Sequence, residues 1–417
     1  MGRASKLMNR NFFLLWQGQL VSQIGNQISI IAMLFWLKQT TGSATLMGLI
    51  MMVSALPSVL LGPIGGTFAD RYPRRNIIIC SDILAGLVVL SQAGLLFIAP
   101  GAVDFILIWL FVVSSIVAIV DAFFKPAISA AIPDLVPEDK VASGNSLNQA
   151  SVQIATLIGQ GLGGILFQLL GAPMLFLING LTYLFTAASE SFITIPQTIP
   201  ERSNTWKEAF HEFQTYTVEG FHYIWIRAGI RAIFLAAAPL NVFAVAIFVL
   251  LPFYVEDFLK VGVNWYGFLW ASFGFGTLTG YIFASIVKLS GKARIALLAS
   301  LLISTSIGFS LLVLVNSPLI ALIIMAMLGI MIGIINVTAI TILQITTPSE
   351  MRGRVFGLLV TLSNGLNPIA MGVSGIVADF TNHNIPLIYT TCGGILFLVS
   401  VWLSMNQKVR DFFVDVY

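Results

Sequence analysis

The chain has 417 residues, 57% of them hydrophobic and only 9% charged, with a mean hydropathy of +0.93 and a formal net charge of +3. Soluble domains carry about 45–50% apolar and about 25% charged residues, so this composition excludes a soluble globular protein and specifies an integral membrane protein. The small net charge says little about partners, and no nucleic-acid partner is expected. Cys80 and Cys392 fall in separate apolar runs and read as packing residues. His211, His222 and His383 lie outside the runs, and no metal-ligand spacing occurs, so neither a metal nor a cofactor is expected.

Apolar runs of about twenty residues recur, the length that crosses a bilayer as an α-helix. Twelve are read, at 11–37, 44–69, 76–99, 103–126, 142–170, 173–195, 229–255, 264–288, 293–315, 318–345, 353–379 and 385–405. Helix is the expected state because lipid offers no partner to open backbone groups, and the alternating polarity of a β-barrel is absent. Met1 to Arg10 is basic, but the run that follows is too long for a signal peptide and lacks a small-residue cleavage site.

The first span carries Gln19, Gln23 and Gln27 at four-residue spacing, flanked by Ser22 and Asn26. Amides are unfavourable in lipid, so this stripe faces either neighbouring helices or the wall of a cavity. The second span, which includes Gly66, runs straight into Asp70, Arg71, Arg74 and Arg75, one acid and three arginines within six residues. Charge packed so tightly between two apolar runs belongs at a membrane face.

Three acids sit within spans: Asp82 in the third, Asp121 in the fourth and Glu190 in the sixth. An intramembrane carboxyl is a functional hypothesis by default, here a proton carrier. Each has a second reading. Asp82 stands two turns past Arg75 and suits a structural ion pair. Asp121 suits a pair with Lys125 one turn on, or with Arg74. Glu190 suits a side chain that reaches the interface.

The apolar pattern breaks at residues 196–228. Pro196 and Pro200 end the sixth span, then Trp206, Phe210, Phe213, Thr217 and Phe221 recur near helical spacing among charged residues. This reads as an interfacial amphipathic helix or, failing that, a loose linker, between an N-terminal six-helix bundle (1–195) and a C-terminal one (229–417). Pro137, Gly161 and Gly164 recur as Pro348, Gly372 and Gly375, offset by 211 residues, as expected of duplicated halves. Lys and Arg collect on one face, including Lys6, Arg10, Arg74, Arg75, Arg231, Arg354 and Lys408, while the other face receives Lys38 and Lys260. That asymmetry puts both termini in the cytoplasm of a multi-pass protein of the cell inner (plasma) membrane.

Asn148 and Gln149 in the fifth span, Asn241 in the seventh, Asn336 in the tenth and Asn364 in the eleventh could extend the polar wall of a cavity, with Trp270 and Phe273 as apolar contact surface. Amides and aromatics with few charges suit a large, amphiphilic, weakly charged small-molecule ligand.

The loop form Gly-x-x-x-Asp-Arg-x-x-Arg-Arg, met by Gly66, Asp70, Arg71, Arg74 and Arg75, resembles the loop between the second and third helices of the major facilitator superfamily; Pro73 replaces the family's middle glycine. Asn11 to Gln19, Pro126-Ala127, Pro133 to Pro137 and Gly353 to Gly357 are similar to the macrolide-efflux and siderophore (enterobactin) exporter branch of drug–proton antiporters. The resemblance implies an all-α integral membrane fold of twelve transmembrane helices in two pseudo-symmetric six-helix bundles, working as a monomer in the lipid bilayer. It implies a secondary active transporter that exports a drug-, macrolide- or siderophore-type amphiphile by alternating access in exchange for protons. It also implies a gating relay of Asp70, Arg74 and Asp121, with the loop meeting the chain near Arg352 to Phe356. Two departures stand out. Gln160 replaces the proline of the family's Gly-Pro-x-x-Gly-Gly turn, and Val117 stands where many members have an arginine. A uniporter or lipid or lysolipid translocator without proton coupling is the alternative, and a non-transporting membrane sensor a remote one. An enzyme is not expected: no nucleophile–base pair or nucleotide loop is evident.

Overall fold

A computed structural model of the chain describes residues 6–197, 218–286 and 291–409. The described residues form helices and short connections. These are α1 (Arg10–Thr41), α2 (Ala44–Arg71), α3 (Arg74–Ile98) and α4 (Val103–Leu135), then a long stretch Val141–Glu190. Gly171, at φ 71° and ψ 168°, breaks that stretch two residues before Pro173. It therefore holds two helices, α5 (141–170) and α6 (172–190). Then come α7 (Ala228–Val249), α8 (Leu251–Phe253), α9 (Asn264–Ile286), α10 (Gly291–Leu311), α11 (Pro318–Thr346), α12 (Ser349–Gly365), α13 (Asn367–Phe380) and α14 (Ile385–Met405).

Ten of the described helical stretches are long and apolar enough to cross a membrane. Val141–Glu190 is one of these and supplies two crossings, and α12 with α13 supplies another in two pieces, which gives the twelve expected spans. The eleventh span is broken because Pro368 has no N–H to continue the hydrogen-bond ladder through Leu366. Pro252 likewise stops the seventh span, and a π-helical turn, Tyr254–Phe258, follows it. Side chains such as Leu169, Phe275 and Phe380 stand more than two-thirds exposed on these helices, as expected where lipid is the solvent.

The chain forms two compact units, Met1–Gly42 with Val53–Asn204, and Ser43–Met52 with Thr205–Tyr417. The opening turns of α2 thus belong with the second unit.

The first unit is held by close helix approach. A Cβ on Gly159 or Gly163 of α5 would lie 2.4 Å from Gln27 Cβ or 2.7 Å from Ile31 of α1, so only glycine lets these helices meet. At one end an apolar cluster of Phe12, Leu15, Ile77, Ile78, Ile132 and Leu135 joins α1, α3 and α4. In the second unit, α9 and α11 interlock through two Gly-x-x-x-Gly pairs. A Cβ on Gly276 or Gly280 would meet the carbonyls of Ala326 or Ile330, and one on Gly329 or Gly333 would meet those of Phe273 or Thr277, all at 2.1–2.5 Å.

Of the expected amphipathic linker helix, Trp206, Phe210, Phe213 and Thr217 lie outside the described residues. Phe221 sits in a helix over residues 218–226, stacked on Trp225 with ring centroids 5.2 Å apart. Glu219 of that segment pairs with Arg354 of α12.

Candidate functional site

The first unit contains a buried polar cluster built by α1, α3 and α6. Asp82 is 2% exposed and Glu190 1%. Gln19 Nε2 donates to Glu190 Oε1 at 2.9 Å, and the Asp82 and Glu190 carboxyl groups lie within hydrogen-bonding reach of each other. Asp82 Oδ2 and Glu190 Oε2 are buried without a donor among the described residues. A hydrogen bond between two carboxyls needs one proton, because an ionised carboxylate only accepts. The arrangement can therefore hold a single proton between two oxygens shielded from water. The frame around it is stitched by Thr186 Oγ1 donating to Gly18 O at 2.9 Å and Gln17 Nε2 donating to Ser189 Oγ at 3.2 Å. Asp121 lies near enough to Asp82 to act on it electrostatically, and the buried Tyr183 lies close to both acids.

Asp82 and Glu190 thus differ from their simpler readings, whereas Asp121 matches one of its own. Asp82 has no ion pair with Arg75, whose guanidinium donates to the carbonyls of Ile193 and Ser191. The Glu190 side chain is buried against α1, where it accepts from Gln19. Asp121 is held by Lys125 at 2.9 Å.

The arginine loop has a different geometry from the expected relay of Asp70, Arg74 and Asp121. Arg74 bonds Asp134 of α4 at 2.5 Å and Asp70 at 3.5 Å, and it also donates to the carbonyl of Ala130 at 2.9 Å. Asp134 takes the place expected for Asp121 because α4 runs on through Pro126 and Pro133, carrying Asp134 to the loop. The close-approach glycine is Gly65, whose Cβ would lie 1.9 Å from Ala122 O; a Cβ on Gly66 would meet nothing within 4 Å. Arg71 is half-exposed.

The glutamine stripe of α1 is divided. Gln19 serves Glu190, Gln27 accepts from Gln160 at 3.3 Å, and Gln23 Oε1 is buried without a partner among the described residues. Gln160, the residue in place of the family's proline, is therefore a bridge between α5 and α1. Asn26, Asn148 and Gln149 make no hydrogen bond among the described residues.

Within the second unit α7, α9, α10, α11, α12 and α14 line a partly open cavity of about 560 Å3, with Asn241 and Asn336 among mainly aliphatic side chains. Trp270 and Phe273 do not line it. They pack on Phe248, with ring centroids at 4.8 and 5.1 Å, and Phe248 meets the cavity's Phe309 edge-on at 5.9 Å. Asn364 belongs to α12, and its side chain lies outside the described residues.

Sequence reasoning missed Asp379. At the end of α13 its carboxylate accepts from the Ser43 hydroxyl at 2.7 Å and from the backbone N–H of Ala44 and Thr45 at 2.8 and 2.9 Å, while His383 Nε2 lies 2.7 Å away. Its partners are more than 330 residues distant in the chain, and no local spacing announces them.

Long apolar helices, buried carboxyls, a charged loop and a cavity among the helices mark a multi-pass membrane transporter. Residues 15–371 match the sequence model of the Major Facilitator Superfamily, and the chain belongs to that family; it is a transporter and not an enzyme. It is similar to macrolide efflux protein A of Streptococcus pyogenes, 22% identical over 400 residues, covering 96% of each chain. It is also similar to the multidrug efflux pump Tap of Mycolicibacterium fortuitum, 24% identical over 374 residues, covering 86% of this chain and 87% of the pump. The fold is shared with the crystal structure of a bacterial homologue of the human lysosomal transporter Spinster, with a TM-score of 0.69, 16% identity and 99% of each chain covered.

Proposed function

We propose that the chain exports a weakly charged amphiphilic small molecule by alternating access, in exchange for protons carried by the Asp82–Glu190 pair. The observation that carries this reading is the pair of adjacent carboxyls at 2% and 1% exposure, each with an oxygen that lacks a donor among the described residues. Two carboxylates so deeply placed would each cost several kcal/mol of desolvation, on the order of the penalties for buried ions. One shared proton removes a charge and gives the orphaned oxygens a donor. Gln19 then stabilises the remaining charge on Glu190, and any helix shift that separates the two carboxyls favours loss or gain of that proton.

The efflux named for both relatives supports the outward direction and the drug-like substrate. The uncharged cavity of the second unit supports a weakly charged one. Arg74, bridging Asp70 and Asp134, acts as the fixed centre of the gating loop, with both termini in the cytoplasm and the chain working as a monomer.

The test is transport in proteoliposomes with a radiolabelled macrolide as probe. An imposed pH gradient should drive its accumulation against its own gradient. Equilibration without accumulation, whatever the pH difference, would mean a uniporter and would remove the proton from the account.

A further inference from the structure

The cavity of the second unit is formed by that unit's own helices. Its volume of about 560 Å3 lies in the roughly 300–1,000 Å3 range of sites for drug-sized ligands. No acidic, basic or histidine side chain lines it among the described residues.

Its hydroxyls are already spent. Thr305 and Ser306 donate to the carbonyls of Leu301 and Leu302, Ser404 donates to Ser400 O, and Ser306 shares a 3.1 Å hydrogen bond with Ser400. Three polar groups keep capacity to spare. Asn241 uses only its amide N–H, toward Ala237 O at 2.9 Å. Asn336 and the Tyr281 hydroxyl have no partner among the described residues.

An ion entering this space would leave water and find no counter-charge, a cost that hydrogen bonds to amides do not offset. A neutral molecule loses little on entry and gains apolar contact over most of its surface. Its carbonyl or hydroxyl groups would meet two amides and a phenol, placed on α7, α11 and α9.

We propose that this cavity binds uncharged, mainly apolar molecules of drug size that carry carbonyl or hydroxyl groups. The inference deepens the export reading by naming a substrate class for Asn241 and Asn336, and it rests on that reading only for what happens after binding.

The test is equilibrium binding of tritiated progesterone, a neutral apolar diketone, to the purified full chain in phospholipid nanodiscs, with the cation tetraphenylphosphonium as competitor. Saturable progesterone binding is expected, undisturbed by tetraphenylphosphonium. Ala237→Trp, which fills the cavity, should weaken it by roughly tenfold or more, and Asn336→Ala, which leaves the packing intact, by about fivefold. Absence of saturable binding would overturn the proposal, as would full displacement by the cation. If Ala237→Trp fails to fold, an Asn336→Ala affinity equal to wild type overturns it alone. A tightly held phospholipid in place of progesterone would assign the cavity to lipid and also overturn it. Proton-driven flux in the same preparation keeps the two readings apart. Binding without flux refutes export, and flux without progesterone binding refutes this site.

Discussion

Replacing Asp379 by alanine should lower the stability of the second unit measurably, because one carboxylate completes the N-terminus of α2. The first N–H groups of a helix have no partner within it. Here Ser43 is the N-cap, and its hydroxyl accepts from Leu46 N at 3.2 Å. The two preceding donors, Ala44 N and Thr45 N, are both taken by Asp379, which also receives the Ser43 hydroxyl. Nearby, Gly48 and Gly375 bring the backbones together: a Cβ on Gly375 would lie 2.2 Å from Ala44 O. Loss of a helix cap costs about 0.5–2 kcal/mol, and hydrogen bonds to a charged group contribute about 1.5–3 kcal/mol each when water is excluded. The Asp379 side chain is 30% exposed, so water recovers part of that loss. A net cost of about 2 kcal/mol is expected, the upper end for a cap. For a unit of roughly 150–250 residues that lowers the melting temperature by about 4–8 °C. Thermal unfolding in detergent, followed by tryptophan fluorescence, measures it. Asp379→Asn keeps an acceptor but loses the charge, and should fall between alanine and wild type. His383→Ala removes only a half-exposed pair and should cost less than about 1 kcal/mol. A melting temperature for Asp379→Ala within about 1 °C of wild type would refute the reasoning, since 2 kcal/mol corresponds to several degrees.

Further outcomes follow from the same geometry. Asp134→Asn should impair transport more than Asp121→Asn, since Arg74 is bonded to Asp134 and Asp121 only to Lys125; equal initial rates for the two variants would contradict that assignment. Gly329→Ala puts a methyl 2.1 Å from Phe273 O and should separate α9 from α11 at a cost of about 1–3 kcal/mol, seen as a lower melting temperature; unchanged melting would show that the helices can move apart freely. Gln19→Leu leaves Glu190 Oε1 without its donor and should destabilise by about 1–3 kcal/mol; a variant melting above wild type would argue against a polar role for the stripe.

The helices were legible because lipid permits little else: a run of about twenty apolar residues has one stable backbone state. The break between α5 and α6 was equally plain, since Gly171 and Pro173 stand at it. The break at Leu366 was not, although Pro368 was its cause, because a proline within a membrane helix often kinks it without ending it. Single residues of the candidate site were legible by type. Asp82, Glu190 and Gln19 each stood out as polar groups in lipid, but their meeting depends on the rotation of α1, α3 and α6 about their axes, which no one-dimensional spacing records. The Asp121–Lys125 pair could be read because it lies one turn apart on one helix. The Arg74–Asp134 pair could not, because it closes across two helices. Asn241 and Asn336 were visible as isolated amides, whereas the cavity between them is a property of side-chain volumes summed over six helices.

The most direct test of the central claim compares two modes of transport in liposomes for Asp82→Asn and Glu190→Gln. Each variant leaves one ionisable carboxyl and no shared proton to exchange. The account predicts that both lose accumulation driven by a pH gradient while still exchanging labelled for unlabelled macrolide at equal pH. Gradient-driven accumulation at the wild-type level in both variants would contradict it.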